Sequence, residues 1–239
     1  MLGYTFRKGL IDGIPIGIGY LSVAFAFGIF TVASGLRITD ALLISMTTVT
    51  SAGQLAAVPI MAACGSLSEL AISQLVINLR YSLMSISLSQ KLDSSVRLLD
   101  RFIIAFVNTD EVFAVASMQK EKVGRQYLYG LILMPYIGWS LGTLLGAVAG
   151  DVLPAMLTSA LGIAIYGMFI AIVLPAARAS RATACCVVIA AVLSCVFRYV
   201  PFLSHISGGF VIIVCAVIAA GIMAAVAPIP QEKEAAANE

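Results

Sequence analysis

The sequence predicts an all-α polytopic membrane protein, with seven transmembrane helices plus a re-entrant segment at 102–118, or eight spans. Three observations carry this. The chain is 61% hydrophobic with a mean hydropathy of +1.04. Only 11% of its residues are charged. Its apolar stretches repeatedly reach about 20 residues, the helical length that crosses a hydrocarbon core of roughly 30 Å. A soluble globular domain is thereby excluded. The net charge of +2 is spread over short loops with no basic run, which argues against nucleic-acid binding.

The apolar segments fall at about 14–34, 41–64, 68–89, 102–118, 127–149, 154–175, 183–199 and 209–227. The first follows Arg7 and Lys8 but is longer than the 7–15 residues of a signal peptide's apolar region, so it reads as a retained helix. No soluble domain fits between the segments, and 1–227 reads as a single transmembrane transporter domain. Beyond Pro228 and Pro230 the chain turns polar, and 228–239 reads as a disordered cytoplasmic tail. Cys64, Cys185, Cys186, Cys195 and Cys215 lie within or at the ends of apolar segments without metal-ligand spacing, and read as packing residues.

Segment 102–118 is the exception among the eight. It has only 17 residues and carries Asn108, Thr109, Asp110 and Glu111 at its centre. Positive residues in short loops concentrate on the cytoplasmic side. Eight spans with the amino terminus inside divide the Lys and Arg residues other than Arg80 eight to five. A re-entrant 102–118 with the amino terminus outside divides them ten to three, although the basic amino-terminal flank opposes that orientation. Irregular backbone at membrane depth survives only when buried in protein or lining a cavity, so a re-entrant segment implies a binding site. Gly9-Leu10-Ile11 with Pro15 is echoed by Gly130-Leu131-Ile132 with Pro135, which is compatible with an internal repeat and equally with chance.

Three polar clusters share one depth. Thr47 to Gln54 puts hydroxyls, a glycine and an amide near the middle of 41–64. The hydroxyls suit helix packing. Gln54 needs partners for its amide, and beside Gly53 it could mark a break in the helix. In 68–89, Gln74, Asn78, Tyr81, Ser82, Ser85 and Ser89 form one polar stripe, whereas Arg80 points about 160° away from Asn78. Arg80 requires a carboxylate or exposed carbonyls at that depth, and Asp110 or Glu111 is the nearest candidate. Such a pair could be structural. Two acids against one arginine leave a carboxylate over for a proton or a substrate.

Gln54, Asn78, Arg80, Asp110 and Glu111 together suggest a midplane pocket suited to a small zwitterion with an apolar tail. Tyr166 and Trp139 read as packing or interface aromatics, and His205 as a loop residue.

Gly13-Ile14-Pro15, Ser51 to Val58, Asn78-Leu79-Arg80 and Thr109-Asp110-Glu111 are together similar to the AzlC-type branched-chain amino acid permeases of bacteria. The resemblance implies an inner-membrane exporter of branched-chain amino acids that works with a small membrane protein of the AzlD type. It covers about half the chain. Two departures stand out: Tyr81 follows Arg80 where the family usually has histidine, and the pattern around Gly53 is rearranged with Gln54 in register.

The resulting expectation is a secondary exporter of small hydrophobic amino acids, coupled to protons through Asp110 or Glu111. No nucleotide-binding motif, metal-spaced set or Ser–His arrangement suggests an enzyme, a metal or a cofactor. A passive channel or pore for a small solute is the alternative, disfavoured because paired charges bind ions instead of passing them.

Overall fold

The computed structural model describes residues 5–152, 170, 173–174, 177–178, 180–203, 206 and 208–227. The expected span at 154–175 falls mostly outside these residues, as do Tyr166, His205 and the tail at 228–239. The chain divides into two compact units, Met1–Met168 and Phe169–Glu239. Among the described residues all regular structure is helical, apart from a single parallel bridge between Leu92 and Val123.

The first unit contains α1 (Phe6–Ala33), α2 (Ile38–Thr48), α3 (Ser51–Ala62), α4 (Leu67–Lys91), α5 (Leu98–Phe106), α6 (Asp110–Ser117) and α7 (Arg125–Val152). The second contains α8 (Arg181–Tyr199) and α9 (Gly208–Val226), packed on each other. By length and composition α1, α7, α8 and α9 can cross a membrane. α4 has the length, but its polar stripe lowers its mean hydropathy.

The frame of the first unit is α1 against α7, and the two run parallel. Gly9 faces Tyr127 and Leu131, Gly17 faces Met134, Gly28 faces Thr143 and Ala147, and Gly150 faces Ile29, so both chains advance together. A Cβ on Gly146 would stand 1.9 Å from the carbonyl oxygen of Phe25, and one on Gly9 2.0 Å from that of Tyr127. Small residues let the two backbones touch, which is how helices associate where lipid removes the hydrophobic drive. The echo between the two glycine-rich segments is thus a pair of helices packed on each other.

Two expected spans are not single helices. Segment 41–64 divides into α2 and α3, because Val49 adopts a left-handed conformation (φ 45°, ψ 43°) and Thr50 is extended. Gln54 Nε2 donates to Ser45 Oγ at 2.8 Å across this break. In a continuous helix those residues would lie about 13 Å apart along the axis, so the chain doubles back. α3 then pairs with α4, with Gly53 beside Gln74 and Asn78, and Gly65 beside Glu69.

Segment 102–118 also divides, into α5 and α6 around Val107-Asn108-Thr109. Both outer ends lie at the start of α7: Tyr129 donates to Asp100 at 2.5 Å, and Gln119 donates to the Tyr127 hydroxyl at 2.8 Å. The tip lies further along, where Phe106 meets the Tyr136 ring. The helix pair therefore starts and finishes at the same end of the α1/α7 frame. α4 ends there too, since Val123 N donates to Lys91 O and Asp93 N to Val123 O.

Candidate functional site

The two hairpins approach from opposite ends of the α1/α7 frame, and their tips meet. Between them lies a cavity of about 270 Å³, with Thr48, Val49 and Thr50 from one tip and Ala105, Phe106, Asn108 and Thr109 from the other. Gln74, Asn78 and Tyr81 of α4 complete its lining. This is slightly below the roughly 300–1,000 Å³ range of drug-sized sites and suits a small ligand.

Each tip is built from local chemistry. The Thr47 and Thr48 hydroxyls donate to Leu43 O and Ile44 O, capping the carbonyls at the end of α2 from within the same helix. Val49 is a β-branched residue at positive φ, a conformation that costs about 1–3 kcal/mol and persists where the surroundings over-determine it. Neither Thr50 nor Thr109 caps the helix that follows with its side chain, so the first-turn N–H groups of α3 and α6 remain open at the tips. Asp110 and Glu111 neutralise the positive end of the α6 dipole, whereas the first turn of α3 holds no acid.

Asn78 sits in the cavity wall. Thr50 Oγ1 donates to Asn78 Oδ1 at 2.8 Å, Asn78 Nδ2 to Gln74 Oε1 at 3.1 Å, and Gln74 Nε2 to Gly53 O at 2.9 Å. This chain of bonds fastens the α2/α3 tip to α4. Tyr81 donates to Thr50 Oγ1 at 3.4 Å and receives a bond from Arg80 at 3.3 Å, with the guanidinium carbon 5.0 Å from the Tyr81 ring centre. Arg80 leaves α4 on a different side from Asn78, as an unbroken helix requires, and the two are linked through Tyr81 and Thr50.

The two acids separate cleanly. Asp110 pairs with Arg80 at 2.6 Å, and both side chains are about half exposed. Glu111 accepts a short hydrogen bond from the Tyr20 hydroxyl of α1. The carboxylate left over by Arg80 therefore has a phenol as its partner.

Gln54 stands apart from the cavity. It is 1% exposed, and its Oε1 accepts from the Trp139 indole at 2.9 Å and from Thr50 N at 3.0 Å. Its Nε2 binds Ser45, which in turn bonds Thr143 at 2.6 Å. Gln54 clasps the α2/α3 tip to α7. Trp139 also meets Tyr20 edge-to-face at 5.0 Å, so packed and bonded groups run from one tip to the other through the frame.

Of the five site residues read from the sequence, Asn78 lines the cavity, Arg80 and Asp110 flank it as a pair, Glu111 stands behind the second tip, and Gln54 is behind the first. Thr50, Asn108 and Tyr20 were not among the site residues read from the sequence, nor was the fastening role of Trp139. Asn108 has the plainest signal in the sequence: an amide two residues before the acid pair.

Comparison with known proteins gives one consistent result. The family model described as AzlC protein matches residues 15–153, nearly the whole described part of the first unit. An Archaeoglobus fulgidus protein named "Uncharacterized membrane protein" is 36% identical over 172 residues, covering 71% of this chain and 75% of the relative. The Escherichia coli "Inner membrane protein YgaZ" is 29% identical over 178 residues, covering 71% and 72%. A Helicobacter pylori membrane protein is 26% identical over 155 residues, covering 62% and 67%. No solved structure matches.

Proposed function

The chain belongs to the AzlC family, and on that premise we propose that it is a secondary transporter exporting branched-chain or similar small hydrophobic amino acids across the inner membrane, coupled to protons. The observation that carries this reading is the meeting of two broken-helix tips at one small cavity. Broken helices that expose backbone groups at mid-depth recur in transporters, with open helix starts toward anionic groups of the substrate. The start of α3, free of acids, suits the ligand carboxylate. Asn78 lines the same space, the Asp110/Arg80 pair adjoins it next to Thr109 and Tyr81, and Glu111 with Tyr20 forms the proton-bearing pair. Gln54 keeps the first tip in place.

In this reading α1, α4 and α7 cross the bilayer, while α2/α3 and α5/α6 each enter and return. The parallel course of α1 and α7 requires an odd number of crossings between them, and α4 alone satisfies it. Charge supports the orientation. Among the described residues of the first unit, Arg7, Lys8, Lys91, Arg97, Arg101, Lys120, Lys122 and Arg125 lie toward one end, and Arg37 alone toward the other. Positive residues mark the cytoplasmic side, so the amino terminus is inside. A small AzlD-type subunit is the partner in this proposal.

The test is counterflow in proteoliposomes. Leucine uptake should saturate and be accelerated by internal leucine, and the double variant Asp110→Asn, Glu111→Gln should abolish it while reaching the membrane normally. Flux that rises linearly with concentration, without acceleration from the far side, would replace the carrier with a passive pore.

A further inference from the structure

A second cavity of about 250 Å³ lies between α4 and α5, lined by Ser85, Ser89, Leu92, Arg101 and Ile104 among others. It shares Ala105 and Asn108 with the cavity at the tips, so the two are consecutive chambers with Asn108 in the common wall. Its other end approaches the loop after α4, where Leu92 bridges to Val123 at the end of the frame that holds the amino terminus. The serines there continue the polar stripe of α4 toward that end. Asn108 is 3% exposed and its Oδ1 has no hydrogen-bond partner, while its Nδ2 reaches Ser85 Oγ at 3.4 Å. A buried amide oxygen without a donor costs about 1–3 kcal/mol, which a ligand's N–H can recover.

We propose that this second cavity is the entrance through which the ligand reaches the tips from the cytoplasmic side, with Asn108 at the neck accepting a hydrogen bond from the ammonium group of an amino acid. Arg101, a guanidinium in the wall of the entrance, attracts the carboxylate. The proposal rests on the amino-acid reading above for the identity of the ligand. The position of the entrance rests on the cavities, and its assignment to the cytoplasmic side on the charge distribution above.

Thiol labelling of the full chain tests both parts. With the five native cysteines replaced, Ser89→Cys is exposed to a membrane-impermeant methanethiosulfonate in inside-out and right-side-out vesicles. Labelling is expected from the cytoplasmic face only, and leucine at ten times its Kd should slow it about tenfold, following occupancy of the site. Asn108→Leu should remove that protection without changing the rate in the absence of ligand, and Asn108→Asp, which retains an acceptor, should keep it. Labelling from the outer face, or unchanged protection in Asn108→Leu, overturns the proposal. If wild-type protein moves leucine while leucine leaves Ser89→Cys unprotected, the entrance is wrong and the transport reading stands. If wild-type protein moves no amino acid, that reading fails, and the labelled face alone decides whether this cavity is the cytoplasmic opening.

Discussion

Replacing Gln54 with leucine separates a clasp from a ligand contact. The substitution keeps the volume near that of glutamine but removes the acceptor for the Trp139 indole and for Thr50 N, and the donor to Ser45. Ser45 retains Thr143, so two buried donors lose their partner. At about 1–3 kcal/mol each, the loss is about 2–6 kcal/mol, reduced somewhat by the apolar fit of leucine. Trp139→Phe should cost about 0.5–1.5 kcal/mol for the lost hydrogen bond, because Thr50 N still serves the amide oxygen, plus the packing lost with the smaller ring. In the Gln54→Leu background, Trp139→Phe removes an orphaned donor and should cost less, giving a coupling of about 1–2 kcal/mol. The assay is thermal unfolding of purified protein in a mild detergent, with counterflow measured on the same preparations. A Gln54→Leu protein that melts like wild type but has an altered KM for leucine would refute the clasp and return Gln54 to the binding surface.

Three further outcomes follow from the same geometry. Gly146→Ala should sharply reduce the yield of folded protein, because its methyl meets the Phe25 carbonyl, whereas Gly19→Ala, with nothing within 4 Å, should be neutral or stabilising by up to about 1 kcal/mol in an expression and melting comparison. Cys64, exposed in the turn between α3 and α4, should react with an impermeant maleimide in intact cells when the other cysteines are replaced; protection there with labelling after lysis would restore a single inward span at 41–64. Arg80→Met should lower the melting temperature by leaving Asp110 unpaired beside Glu111, by less than the roughly 3–5 kcal/mol of a fully buried pair, and adding Asp110→Asn should recover most of it.

The amino-acid sequence by itself determined the class of the molecule, because hydropathy and helix length are local properties of the chain. It also located the costly groups, since Arg80, Asp110 and Glu111 stand out against apolar neighbours wherever they end up. The shortness of 102–118, its polar centre and the Lys/Arg distribution together suggested a segment that returns. The companion break in 41–64 was signalled only by Gln54 beside Gly53, and its place and its reversal of the chain were not legible: the turn falls at Val49 and Thr50, ordinary β-branched residues, and Val49 adopts positive φ where no glycine stands. That conformation is imposed by bonds from far along the chain, Ser45 to Thr143 and Gln54 to Trp139.

The choice of Asp110 as the partner of Arg80 and of Tyr20 as the partner of Glu111 was likewise made by packing. Adjacent residues on α6 point in different directions, one toward α4 and the other toward α1. Sequence sets which groups must find partners at membrane depth. Only the fold, by bringing two broken helices tip to tip on a glycine-lined frame, decides which partners they find and which group, Asn108, keeps an acceptor open.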